Sequence, residues 1–170
     1  LLEGQAIPPG LEVRIAEQAT DMARAAGMTG PDRRAIILAH DEWHQGVVGI
    51  VCSRLVERFC RPTILMQRRD GRCVGSGRSV KGFSLHGALA SCAARLVRFG
   101  GHDMAAGVEL ESRSLGDFAE EFIARANAEI SENDLVSRVT IDSDAALGEL
   151  TGAAVGRLEQ LAPFGMENPR

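Results

Sequence analysis

The sequence predicts an α/β domain built as a mixed β-sheet flanked by helices. Three observations carry this. Short apolar runs of strand length interleave with longer segments whose apolar residues recur at helical spacing. Gly- and Pro-containing breakers separate the two kinds of segment. Hydrophobic residues make up 45% of the 170 residues, enough to bury a core, yet no run approaches the roughly 20 apolar residues of a membrane span.

Taken in order, residues 11–26 carry Leu11, Ile15, Ala19, Met22 and Ala26 at helical period and stop at Gly27-Met28-Thr29-Gly30-Pro31. Residues 35–39 form a short apolar run suited to a buried strand that ends at His40-Asp41. A helix is predicted over 46–59, with Val47, Ile50, Val51, Leu55 and Phe59 on its inner side. Strands follow over 62–66 and 72–78, joined by an Asp70-Gly71 hairpin signal. Beyond them come a helix over 85–97, a Gly100-Gly101 break and a strand over 104–110. A helix over 115–130, a strand over 136–141 and a short helix over 152–161 complete the series, which ends in Pro163-Phe164-Gly165. Leu1-Leu2-Glu3-Gly4 has neither an initiating Met nor a signal pattern, and Glu167-Asn168-Pro169-Arg170 ends among turn-forming residues; the chain reads as an excerpt of a longer protein.

Charge is distributed unevenly. The net of −4 hides a middle segment, 51–101, with a net of +8, between segments 1–50 at −3 and 102–170 at −9. A basic middle between acidic ends suits a local anion-binding surface; it equally suits a solvated face balanced by acidic neighbours in space. Cys52, Cys60, Cys73 and Cys92 show no C-x-x-C spacing and read as reduced thiols of a cytoplasmic protein, three of them in apolar surroundings.

Three segments concentrate chemistry. His40-Asp41-Glu42-Trp43-His44-Gln45-Gly46 lies between a strand and a helix whose free N–H groups offer an anion site. His40, Asp41 and His44 are also metal-ligand types, but they lack the one-face spacing of a zinc helix. In Gly75-Ser76-Gly77-Arg78-Ser79-Val80-Lys81-Gly82-Phe83, glycines permit close backbone approach, while hydroxyls, Arg78 and Lys81 supply donors to phosphate oxygens. Phe83 offers a stacking face for an unpaired base. In Arg98-Phe99-Gly100-Gly101-His102-Asp103-Met104, two glycines before a histidine expose the imidazole on a tight turn between a helix and a strand. Such a group donates to a phosphoryl oxygen or stabilises charge developing there. A helix C-cap followed by a surface histidine is the plainer reading of that segment alone.

In this order the segments resemble the region downstream of the catalytic domain in RecJ-type exonucleases of the DHH phosphoesterase superfamily. The resemblance rests on Trp43-His44-Gln45-Gly46-Val47-Val48-Gly49-Ile50-Val51-Cys52-Ser53-Arg54-Leu55 and on Gly75-Ser76-Gly77-Arg78-Ser79 with Gly82-Phe83-Ser84-Leu85-His86. It continues through Arg98-Phe99-Gly100-Gly101-His102 with Met104-Ala105-Ala106-Gly107, and Pro163-Phe164-Gly165 with Asn168-Pro169. Glu42, Gln45 and Glu167 depart from the usual pattern, which often has Gly, Pro and Gly at these places.

The resemblance implies a DHH-associated domain that closes a cleft against an upstream domain holding two divalent ions, Mn2+ or Mg2+. That domain's Asp-His-His motif is absent from this sequence, so no metal site is expected in this fragment and the fragment alone is expected to be inactive. The implied activity is hydrolysis of single-stranded DNA from its 5′ end, with roles in DNA repair and recombination. By carry-over, Gly100, Gly101 and His102 line the nucleotide and scissile phosphate, with His102 stabilising the phosphoryl group. Ser76, Arg78 and Ser79 grip phosphates, and His44 neighbours the cleft. The implied organisation is a connecting helix over 1–33, a nucleic-acid-binding domain over 34–133, and a junction over 134–170 into the start of an OB-like domain. Three alternatives stand beside this. One is a binding domain of another DHH phosphodiesterase acting on oligoribonucleotides or cyclic dinucleotides. The second is a self-sufficient metallo-hydrolase built on His40, Asp41 and His44. The third is a docking surface, on the acidic last third, for a partner such as a single-strand-binding protein.

Overall fold

In the computed structural model, which describes residues 8–137 and 144–163, the chain divides into two units, Leu1–Ser137 and Arg138–Arg170. The first contains α1 (Leu11–Ala25), β1 (Ile36–His40), α2 (Gln45–Phe59), β2 (Thr63–Arg69) and β3 (Arg72–Arg78). It continues with α3 (Leu85–Ser91), β4 (Arg98–Gly101), β5 (Ala105–Glu111) and α4 (Leu115–Glu129). The strands make one mixed sheet in the order β1-β2-β3-β5-β4. β1 and β2 run parallel, joined through α2, and every other neighbouring pair is antiparallel. In the second unit the described residues hold a single helical turn at Leu147–Glu149 and α5 (Gly152–Glu159).

Helices cover both faces of the sheet, as the sequence predicts. α1 and α2 pack on one face over β1, β2 and β3. Leu11, Ile15, Ala19 and Ala23 of α1 join the same core as Val47, Val48, Val51, Cys52 and Leu55 of α2. α3 packs on the opposite face, where Leu85 lies against Gly77 and Ile64. α4 adds Phe118 and Phe122 to that side. The Asp70-Gly71 hairpin forms as its sequence demands: φ is 51° at Asp70 and 75° at Gly71, the paired positive angles of a two-residue turn.

Four expectations need correction. The 85–97 helix stops at Ser91; a single tight turn, Ala93–Arg95, follows, and Val97 donates its N–H to Glu109 O instead. Sheet pairing therefore wins over helical periodicity. Arg98–Gly101 is strand β4 rather than a break, because pairing with β5 supplies the order that two glycines conceal in sequence. Ile50 is 56% exposed, since α2 turns Val47, Val48, Val51, Cys52 and Leu55 inward and places Ile50 on the far side. Val136 is exposed and outside any strand. Residues 138–143, which hold most of the expected 136–141 strand, lie outside the described residues. So do Phe164 and Gly165.

Two features hold the loops in place. Arg61, 4% exposed, donates from Nη1 to the carbonyls of Met28 (2.9 Å), Gly30 (2.9 Å) and Arg33 (2.7 Å), and from Nε to Phe59 O (3.0 Å). Burial holds its guanidinium below the usual range. The β4–β5 turn is held by the N–H of His102, which donates to Ala105 O at 2.8 Å. It requires glycine at 101, where φ is 140° and an added methyl would lie 2.4 Å from Ala105 O.

Arg61→Ala leaves several carbonyls without their donor and is expected to cost about 2–4 kcal/mol. The check is a lower urea midpoint with an unchanged slope. Gly101→Ala is expected to cost about 1–3 kcal/mol. Faster amide exchange at His102, measured beside the thermal midpoint, reports the broken turn.

Candidate nucleic-acid interface

Strand pairing decides which residues share a face. Along β3, Arg72, Val74, Ser76 and Arg78 alternate with Cys73, Gly75 and Gly77, which face the other way. Ser76 lies beside Gly107 of β5, and Gly107 beside Gly100 of β4. One row across the sheet thus runs Ser76-Gly107-Gly100. The neighbouring row runs Arg78-Ala105 and continues to His102 through its bond to Ala105. Gly100 and Gly107 are exposed, and a methyl built on Gly100 would meet nothing within 4 Å. This part of the face is open backbone.

α2 borders the open floor. A methyl at Gly49 would meet Arg78 Nη2 at 3.3 Å and Ser76 Oγ at 3.5 Å, so glycine there lets helix and strand come together. Behind Ser76, the Cys52 thiol donates to Ser76 O at 3.1 Å. Burial pushes that thiol up to about 12, against smaller lowering effects of the Leu65 backbone and Arg78. Arg78 is half-buried and donates from Nη1 to Gly77 O at 2.8 Å. His102 is exposed, on a turn tied to the start of α3 by Asp103, whose carboxylate accepts from Ser84 Oγ at 2.5 Å and whose carbonyl accepts from Leu85 N.

The structure thus brings Ser76, Arg78, Gly100, Gly101 and His102 to one surface. His44 stands at the N-terminal end of α2, the helix that borders it, where its Nδ1 accepts from Gly46 N at 3.1 Å. Two side chains go elsewhere. Ser79 is 4% exposed and its hydroxyl donates to Phe83 O at 2.7 Å, so it braces the 79–83 loop and does not reach the open face. Phe83 is 2% exposed and packs edge-on against Phe122, with ring centroids 5.9 Å apart, leaving no face for a base.

The metal-ligand types of the first segment do not converge. His40 Nε2 is bonded to Gln18 Nε2, Asp41 pairs with Arg68 at 2.6 Å, and His44 caps α2. Among the described residues no three His, Cys, Asp or Glu side chains cluster to hold a metal ion, so these residues do not fit a divalent cation. No described helix is long and apolar enough to cross a membrane.

The basic excess of the middle segment is partly paired. Arg95 bonds Asp117 and Glu121 of α4, and Arg58 lies over the Phe59 ring. Sequence reasoning missed Glu109, which is 8% exposed and joins Arg72 of β3 to Arg98 of β4 through its two oxygens. The guanidinium of Arg72, aided by that of Arg98, holds this carboxyl below its ordinary range. A lone glutamate inside an alternating strand carries no signal of such a role. Gly107 was visible only as part of a motif, not as a floor residue.

The DHHA1 domain model matches residues 32–132. A protein named single-stranded-DNA-specific exonuclease RecJ, from Bacillus subtilis, is 35% identical over 159 residues, 92% of this chain and 20% of its own length. The crystal structure of RecJ from Thermus thermophilus in complex with Mg2+ matches with a TM-score of 0.75 and 33% identity, over 94% of this chain and 24% of that one. Its Mn2+ complex matches with the same TM-score at 32% identity, over 94% of this chain and 22% of that one. The chain therefore spans about a fifth to a quarter of the length of these relatives. With the family model covering the whole sheet together with α2, α3 and α4, the chain belongs to the DHHA1 domain family.

Proposed function

We propose that the open face of the sheet holds single-stranded DNA as the substrate-binding part of a RecJ-like exonuclease. The observation that carries this reading is the floor Ser76-Gly107-Gly100, bare of large side chains and bordered by Arg78 and the exposed His102. A sugar–phosphate chain lies close to backbone only where side chains stand aside. Ser76 and Arg78 contact phosphate oxygens, Arg78 by its fork of donors. Gly100 and Gly101 admit the nucleotide, and His102 donates to the scissile phosphate or stabilises charge developing on it. His44 and the first turn of α2 border the strand's path. Ser79 acts by bracing the loop rather than by touching phosphate.

Hydrolysis in this reading belongs to divalent ions held outside this chain; His40, Asp41 and His44 are engaged with Gln18, Arg68 and the start of α2 instead. This chain contributes grip and alignment. The same reading takes residues 1–33 as the link from a catalytic domain and 134–170 as the junction into an OB-like domain. α1 nevertheless packs into the DHHA1 core.

The test is fluorescence anisotropy with a 5′-phosphorylated single-stranded DNA over a salt series, using unchanged chain, Arg78→Ala, His102→Ala and Gly100→Val. Salt-sensitive binding is expected, weakened about tenfold by Arg78→Ala. That variant also lowers the salt slope by about 0.7, the signature of one lost phosphate contact on a single strand. Gly100→Val is expected to keep the thermal midpoint and lose binding, because the valine fills the floor and not the core. Absence of binding at low salt overturns the reading. Binding confined to a ribodinucleotide favours a phosphodiesterase of short oligoribonucleotides instead.

A further inference from the structure

The open face extends beyond Ser76 and Arg78. Two residues along the strands, about 7 Å, the next row runs Val74-Glu109-Arg98. Two residues further, Arg72 lies beside Glu111. Glu109 sits low in this surface, its side chain 10% exposed, and both oxygens are engaged. One accepts from Arg72 Nη1 and the other from Arg98 Nε at 2.6 Å. The arginines themselves stand up from the face, with side chains 53% and 78% exposed, and each bond occupies only one nitrogen of a five-donor fork. Glu111 is paired with Arg113, so two cations over one anion leave a net charge of +1. On β5 and β4 no side chain stands between Glu109 and Arg98 and the first site, since Gly107 and Gly100 share the row of Ser76; on β3 only Val74 lies between Ser76 and Arg72.

Resting on the reading above, we infer that Arg72 and Arg98, splayed and held by Glu109, form a second phosphate subsite one step along the strand from Ser76 and Arg78. The separation of the rows is a step that one extended sugar–phosphate unit spans, and the intervening backbone admits the nucleotide. Arg98 and Arg72 contact the ligand. Glu109 is a positioning residue that touches only the arginines. The subsite takes the backbone phosphate of an oligonucleotide, so it contributes only to ligands long enough to reach it.

The test compares the full chain with Arg98→Ala, Glu109→Gln and, as a control off this face, Arg125→Ala. Probes are 5′-phosphorylated deoxythymidine, whose single phosphate cannot occupy both sites, and an oligothymidylate long enough to cross the whole face. Arg98→Ala is expected to weaken the long probe about tenfold and lower its salt slope by about 0.7, with the mononucleotide unchanged. The mononucleotide also reports that the variant is folded. Glu109→Gln separates positioning from neutralisation. If the carboxylate merely offset the arginines, removing its charge would tighten the long probe; positioning weakens it by severalfold. Arg125→Ala is expected to bind both probes as the unchanged chain does. Unchanged long-probe affinity in Arg98→Ala, an equal loss on both probes, or tighter binding by Glu109→Gln overturns the subsite while leaving the first site standing. Failure of the unchanged chain to bind either probe overturns the first reading and this one with it.

Discussion

β3 is paired along its whole length, with β2 on one side and β5 on the other, and that register decides what the open face presents. Side chains in a strand alternate, so a slip by one residue would exchange Ser76 and Arg78 for Gly75 and Gly77. The arginine would then point at Leu85 and Ile64, in the apolar layer beneath α3. Several local facts prevent this. The Asp70-Gly71 turn fixes the pairing of β2 with β3 at one end. Gly75 has no room for a side chain, since a methyl there would fall 2.0 Å from Leu65 O. Cys73 is fully buried on the side opposite Ser76. Register, and not any single bond, assembles the candidate site.

Electrostatics are arranged around the same sheet with little waste. The middle segment's excess of basic residues looks in sequence like one positive surface. In space its members take different roles, among them Arg72 and Arg98, which share Glu109 on the open face. Arg61 is buried and spent on carbonyls, Arg68 and Arg95 are paired with acidic side chains from other elements, and Arg78 stands by the open floor. Surface pairs such as those of Arg68 and Arg95 add little stability, but they remove competing positive patches from the rest of the surface. Cations clustered at one place guide an anion there better than a diffuse positive coat.

Much of the fold was legible in the sequence because local pattern and tertiary environment agree there. The helices α1, α2 and α4 and the strands β1, β2, β3 and β5 each carry their own period, and the hairpin carries its own turn residues. Where the two disagree, the sequence misleads. Arg98–Gly101 has almost no intrinsic strand character and is a strand only because β5 lies beside it. Ser79 and Phe83 look available when read as a string of donors and a ring. Phe83 is covered by α4, whose Phe122 arrives from some forty positions away, and Ser79 is drawn in by its bond to the Phe83 carbonyl. The motif glycines were recognised as permissive, but the alignment of Gly107 and Gly100 with Ser76 across three strands is a property of register that no single segment displays. Glu109 was invisible for the same reason, because its two partners come from two other strands.

The Ser76-Gly107-Gly100 row has a consequence for what the surface can discriminate. Base identity is read by donors and acceptors matched to base edges, usually carried on side chains. A floor made largely of backbone carries one short hydroxyl and nothing that reaches further. A strand held there is fixed by the repeating part of its chemistry, which is the same at every nucleotide. Indifference to the order of the bases would then come from the architecture itself, without any side chain having to tolerate all four.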